Sequence, residues 1–402
     1  MDTLTALPSE KYTWASARVR AMPKSVFAEM DAAKTAAKAK GLDVIDLSIG
    51  SSDLSPPAAA LTALREATHD PTTYGYCLAS GTAPLREAVA AWYNQRFTPP
   101  AQIDADDHVL PLIGSQEGLA NLLFAVTDSG DVILVPNPAY PSYFGAVALA
   151  GLEAVSMPLL ADNNFLPVLV DIPNHIADKA RVLLISYPNN PTAATAPVSF
   201  FKEAISFCEK HNILLVHDFP YVDMTFGDYR APSLFELAGG LDAGIELYSC
   251  SKSFHMGGFR MGWAIGNSSA ISALAHAKSA IDFNQYAGIQ RAAIAALQVD
   301  VHIIREATQH FEMRRNTLVN AFAAKGWQVP LPAASMYIWA PLPDGQDDAF
   351  SFAKALAAET GVCLSPGDAF GSYGKGYVRF ALVRDCDVLE DAAARIANFL
   401  AA

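Results

Sequence analysis

Strand-like and helical runs alternate along this sequence in a way that predicts an α/β fold, with a mainly parallel sheet, helices on both faces and a smaller α+β unit. Two observations carry the prediction. Short runs of strand character at Val132–Val135, Val182–Ser186 and Ile213–His217 are separated by helical stretches such as Val198–Lys210. A long helical pattern from Val301 to Lys325, closed by Gly326, then leads to strands at Met336–Ala340 and Tyr377–Leu382 and helices at Ala349–Thr360 and Val388–Leu400. On this reading residues 1–42 form an arm and helix that pack with the smaller unit. Residues 43–300 form the large domain and residues 301–402 the small C-terminal one.

Taken from the N-terminus, Glu10, Lys11, Arg18 and Arg20 interrupt the first segment, so no signal-peptide core is expected there. Pro23 to Lys40 reads as an amphipathic helix stopped by Gly41. No apolar run approaches the roughly 18 residues of a membrane span. The 402 residues, 51% of them hydrophobic, suffice for a large core, and the length allows about two to three domains. A net charge of −13 opposes binding to phosphate backbones and anionic membranes, so neither nucleic acid nor membrane is an expected partner. The five cysteines, at 77, 208, 250, 363 and 386, are odd in number and form no CxxC pair. A reducing cytoplasm is their simplest setting, and no metal-ligand set is expected.

The chemistry concentrates in Ser249-Cys-Ser251-Lys252-Ser-Phe-His-Met-Gly257-Gly258-Phe-Arg260. A lysine bracketed by hydroxyls, followed by a Gly-Gly turn and an arginine, suits an aldehyde held as a Schiff base beside a bound phosphate. Pyridoxal 5'-phosphate has both groups. The flanks Glu246–Ser249 and Gly262–Gly266 read as buried strands, so Lys252 lies in a loop between apolar segments where an unpaired ammonium is costly.

The pyridine nitrogen of that cofactor calls for a buried acid. Asn212-Ile-Leu-Leu-Val-His217-Asp218 ends a strand-like run in an aspartate, at the carboxyl end where open parallel sheets present ligand-binding groups. Taken alone, Asp218 reads equally as a turn or helix cap. Tyr221, three positions on, is placed to hydrogen-bond the ring hydroxyl from the same loop.

From about Asp43 to about Ile396 the sequence resembles the class I/II aminotransferases of pyridoxal-phosphate fold type I, the family of aspartate aminotransferase. The wording is most like the LL-diaminopimelate and alanine aminotransferase branch at Leu110–Leu119, at Val135-Pro-Asn-Pro-Ala-Tyr-Pro-Ser-Tyr143 and at Gly376-Tyr-Val-Arg-Phe-Ala-Leu382. The resemblance implies a seven-stranded-type sheet in the large domain and a homodimer with shared active sites. It assigns Lys252 to the Schiff base and Arg260, Ser249 and the helix N-terminus at Gly114-Ser115-Gln116 to the phosphate. Tyr140 would stack on the pyridine ring, Asn190 and Tyr221 would bond its hydroxyl, and Tyr76 would reach the phosphate of the neighbouring subunit. Gly50 and Arg379 would receive the substrate α-carboxylate.

The implied reaction exchanges an amino group between an L-amino acid and a 2-oxo acid, with glutamate and 2-oxoglutarate as the expected couple and LL-diaminopimelate or alanine as the type of donor. A carbon–sulfur β-lyase of the same fold uses the same residues and stands as the alternative. A non-catalytic cofactor-sensing module is a further one, and it calls for a basic helix-turn-helix segment that is not read before Asp43. Two positions depart from the family's wording. Pro220 precedes Tyr221 and is expected to redirect that turn, and Ala193 follows Asn190-Pro-Thr where a positive φ would be strained. For a distal substrate carboxylate, Arg18, Arg20 and Asn284 are the candidates.

Overall fold

The computed structural model describes residues 14–22 and 26–401. Its strands in chain order are β1 (Ile45–Asp46), β2 (Val109–Leu112), β3 (Val132–Asn137), β4 (Glu153–Pro158), β5 (Ala180–Ile185) and β6 (Leu214–Asp218). They continue with β7 (Gly244–Ser249), β8 (Gly262–Gly266), β9 (Tyr337–Pro341), β10 (Val362–Cys363), β11 (Ser365–Pro366) and β12 (Tyr377–Ala381). Seven of these form one sheet in the order β2-β8-β7-β6-β5-β3-β4. Every neighbouring pair is parallel except those involving β8, which runs against both β7 and β2.

Successive side chains of a strand face opposite sides of the sheet, and the core divides accordingly. Val216, Ile245 and Leu247 pack on one side with residues of the helices Ser115–Val126, Pro141–Ala150 and Ser268–Ser279. Leu215, Tyr248 and Trp263 pack on the other with Ala83–Phe97, Val198–His211 and Ala287–Leu297. The parallel strands all end on one edge, so Asn137, Asp218 and Ser249 arrive together where an α/β sheet offers its binding crevice. The two edge strands, β2 and β4, are the ones the sequence pattern does not announce. Pro111 lies within β2 and Pro158 ends β4, and proline is confined to edges or strand ends because it cannot donate to the ladder.

The C-terminal unit holds a three-stranded antiparallel sheet in the order β11-β12-β9, covered by the helices Ala349–Thr360 and Cys386–Ala401. The segment after residue 43, which the sequence groups with the large sheet, pairs here instead. Ile45 and Asp46 align in parallel with Val362 and Cys363, and Ala381 N–H donates to Leu47 O at 2.8 Å. The chain thus passes from the C-terminal unit to the sheet edge through residues 47–53. The predicted N-terminal helix is Val26–Ala39, with Gly41 at φ +79; Pro23 lies outside the described residues, as do Glu10 and Lys11. Its Met30 joins the C-terminal core.

Candidate active site

Strand β7 delivers Lys252. The strand ends at Ser249, whose hydroxyl accepts from Ser251 N–H at 3.3 Å and caps a single helical turn, Cys250–Ser253. Lys252 Nζ donates to Gly50 O and lies 5.7 Å from the centre of the Tyr221 ring. Gly50 admits no side chain, since a Cβ there would meet Tyr337 Oη at 1.9 Å.

Strand β6 delivers Asp218, with its backbone in register with Leu247 of β7. The carboxylate is buried. Oδ2 accepts from Tyr143 Oη at 2.5 Å, whereas Oδ1 has no hydrogen-bond partner among the described residues. Burial pushes the Asp218 carboxyl up to about 6, against the lowering effects of the Tyr143 hydrogen bond, His217 and Lys252. Pro220 does not divert the turn. Phe219 N–H still continues the ladder to Leu247 O at 2.9 Å, and Tyr221 is buried with its hydroxyl 3.0 Å from that of Tyr337. Burial and the neighbouring Tyr337 phenol hold Tyr221 well above the usual phenol range.

Gly114, Ser115 and Gln116 open the 12-residue helix Ser115–Val126 immediately after β2. Arg260 lies against this opening: a Cβ on Gly114, whose φ is +82, would meet Arg260 Nη2 at 2.4 Å. Arg260 itself has φ +52 and donates to Gly257 O at 2.9 Å. Tyr140 is positioned as the residue before Pro141–Ala150 and donates to Gln116 Oε1 at 3.2 Å. Helix dipole, backbone N–H groups and guanidinium converge on one spot.

Arg379, in the middle of β12, is 4% exposed, and its guanidinium lies over the rings of Tyr337 and Phe370 at 4.2 and 4.5 Å. It donates to Asn190 Oδ1 at 2.8 Å and Ser48 O at 2.6 Å, while Nε has no partner among the described residues. Among the described residues it forms no ion pair with a carboxylate. Ala193 has φ +56, the left-handed geometry in which a Cβ is strained, in the turn that presents Asn190.

The remaining expectations lie elsewhere. Tyr76 is 84% exposed and touches Phe283 at 5.1 Å between ring centres. Asn284 donates to Cys77 O at 3.0 Å; Arg18 and Arg20 are exposed on the turn Ala17–Arg20, and Arg20 donates to Ala15 O. Among the described residues none of these three bonds a site residue of its own chain. Tyr143 and Tyr337 are the site residues that sequence reasoning did not single out. Tyr143 had a signal, one helical turn after Tyr140; Tyr337 had none, because it depends on β9 pairing with β12.

Residues 42–396 match the family described as aminotransferase class I and II. The chain belongs to that family. It is 42% identical over 384 residues, 96% of this chain and 98% of the relative, to a Dehalococcoides mccartyi protein named LL-diaminopimelate aminotransferase. A Gloeobacter violaceus protein of the same name is 38% identical over 95% of this chain and 97% of its own length. Among solved structures, a probable N-succinyldiaminopimelate aminotransferase from Thermus thermophilus superposes with a TM-score of 0.89 at 45% identity, covering 93% of this chain and all of its own. Aspartate aminotransferase from Thermotoga maritima gives 0.89 at 28% identity, over 96% of this chain and 100% of its own. The fold is that of the fold type I aminotransferases, and the protein is a pyridoxal-phosphate-dependent aminotransferase.

Proposed function

We propose that this aminotransferase holds pyridoxal 5'-phosphate between Lys252, Asp218 and the helix opening at Gly114–Gln116, and moves an amino group from LL-diaminopimelate to 2-oxoglutarate. Asp218 carries the reading. A buried carboxylate oxygen with no donor among the described residues suits a protonated ring nitrogen. Two observations support it: Arg260 packed on Gly114 at a helix N-terminus suits a dianionic phosphate, and the unneutralised Arg379 suits an α-carboxylate.

When bound, the cofactor draws electrons from the substrate α-carbon so that its proton can leave. The chain does the rest. Asp218 keeps the ring nitrogen protonated, Tyr140 covers the ring, and Tyr221 and Asn190 bond its hydroxyl. Ser115, Gln116, Ser249 and Arg260 hold the phosphate. Lys252 Nζ takes the α-proton and returns it, while Gly50 leaves room for the Tyr337 hydroxyl and Arg379 orients the substrate carboxylate.

The donor is inferred from the relatives named for LL-diaminopimelate, and the Thermus structure favours a second reading in which the donor is N-succinylated. The reading includes a cytoplasmic homodimer. Its support is the exposed side chains of Tyr74, Tyr76, Leu78, Ile281 and Phe283, of which Tyr76 and Phe283 touch, and five free cysteines; in the dimer Tyr76 would reach the partner's phosphate. Assay of LL-diaminopimelate, its N-succinyl form, alanine and aspartate against 2-oxoglutarate, pyruvate and oxaloacetate tests it. Glutamate formed with LL-diaminopimelate alone is the expected result. Preference for the N-succinyl donor selects the second reading, and pyruvate, ammonia and a free thiol from an S-substituted cysteine would reveal a lyase.

A further inference from the structure

One loop, Ser48 to Asp53, is held at four of its residues, and Ser48 O also accepts from Ser365 Oγ at 2.9 Å. Arg379 Nη2 donates to Ser48 O at 2.6 Å and Lys252 Nζ to Gly50 O. His255 Nδ1 and Ser52 Oγ share a hydrogen bond of 2.8 Å, and Arg314 clasps both Asp53 oxygens at 2.7 Å each. Arg314 belongs to the helix Val301–Ala323 and also donates to Asp385 at 2.8 Å and Leu382 O at 3.3 Å, so it fastens the loop to the C-terminal unit.

Arg379 and Lys252, on the proposed function, must turn to cofactor and substrate. His255 and Arg314 are not used by the chemistry and stay in place. His255 is the one on the lysine's own turn, three residues after Lys252. Its φ of +56 is the left-handed conformation that a β-carbon disfavours, so the ring is held in an orientation the backbone alone does not prefer. The ring lies near-parallel to Phe311, 25° between planes and 6.2 Å between centres. Burial, with His310 and Lys252 nearby and Asp53 opposing, lowers the imidazole to about 4. It is therefore neutral at physiological pH and bonds Ser52 without setting a second cation beside Lys252.

We infer that His255 is a positioning residue for Lys252: its bond to Ser52 keeps the Gly50 loop in register with the lysine turn while Lys252 and Arg379 are engaged elsewhere. The inference rests on the proposed function for the roles of those two residues. It predicts that His255 and Ser52 act as one unit.

Cofactor-free full-length protein carrying His255→Ala, Ser52→Ala, both, or His255→Asn is mixed with pyridoxal phosphate. Capture by Lys252 is followed by absorbance, and the thermal midpoint of each variant is measured alongside. Each alanine variant should slow capture about fivefold, as expected for one neutral hydrogen bond. The double variant should be no slower than the slower single one, and His255→Asn, which retains an acceptor and tolerates the left-handed backbone, should stay within about twofold of the parent. Additive losses, or a lowered midpoint with capture unchanged, would overturn the inference and leave His255 a packing residue. If the unmutated protein captures no pyridoxal phosphate at Lys252, the proposed function fails and takes this inference with it.

Discussion

Asp218 accepts a 2.5 Å hydrogen bond from Tyr143 on one carboxylate oxygen and keeps the other buried and, among the described residues, unpaired. The folded protein therefore holds the Asp218 proton more tightly than the unfolded chain does, with the carboxyl at about 6 against an ordinary value of 3.8. Stability from this group is full below the ordinary value and is lost as pH rises through the folded one. In cofactor-free protein, Asp218→Asn should raise the thermal midpoint near pH 7.5, with the gain fading as pH falls toward about 4. In the loaded enzyme the same variant should lose at least about a hundredfold in turnover, because an amide cannot hold the ring nitrogen's proton by charge. Near-normal turnover would make Asp218 a turn residue only.

Arg379→Lys should raise KM for both amino donor and 2-oxo acceptor, since each presents an α-carboxylate to the same fork. Lysine keeps the charge and loses the second parallel hydrogen bond, about 1.5–3 kcal/mol for a bond to a charged group, or roughly ten- to hundredfold in kcat/KM. Steady-state kinetics in both directions measures this. An effect confined to one half-reaction would point to a side-chain contact instead.

Gly50→Ala should damage the site through Tyr337, whose hydroxyl lies 1.9 Å from where the new Cβ would stand. Activity should fall sharply. Adding Tyr337→Ala should recover part of it, because the hydroxyl and the ring carbons behind it, 2.5 and 2.6 Å from the same point, are then gone. If the double variant is as poor as the single one, the backbone at residue 50 rather than the tyrosine is what the methyl disturbs.

The sequence foretold the ends of β6 and β7, where an apolar run stops at Asp218 and Ser249, because a buried parallel strand writes its own boundaries. It did not foretell β2 and β4, whose prolines belong to sheet edges. Tyr337 enters the site only because β9 pairs with β12 so that Tyr337 faces Ala381, a register that no local pattern encodes. The bond between His255 and Ser52 spans 203 residues and is equally silent in the sequence. Pro220 was expected to divert a turn that the ladder bond from Phe219 N–H to Leu247 O holds in place.

Among the described residues Tyr76 packs on Phe283, and its 84% exposure fits a residue aimed at a neighbour. Mixing Tyr76→Phe subunits with Lys252→Ala subunits should give heterodimers with one site free of both substitutions. Activity should then rise above both parents. A fully active monomer in dilute solution would contradict this.

The proposed function stands on Lys252 as the amine that holds the cofactor. Borohydride treatment of the yellow, loaded protein followed by peptide mapping tests it most directly. The pyridoxyl label should fall on the peptide containing Lys252, and Lys252→Ala protein should bind the cofactor yet take no label and turn over no substrate. A label on any other lysine, or turnover retained by the alanine variant, would contradict the account.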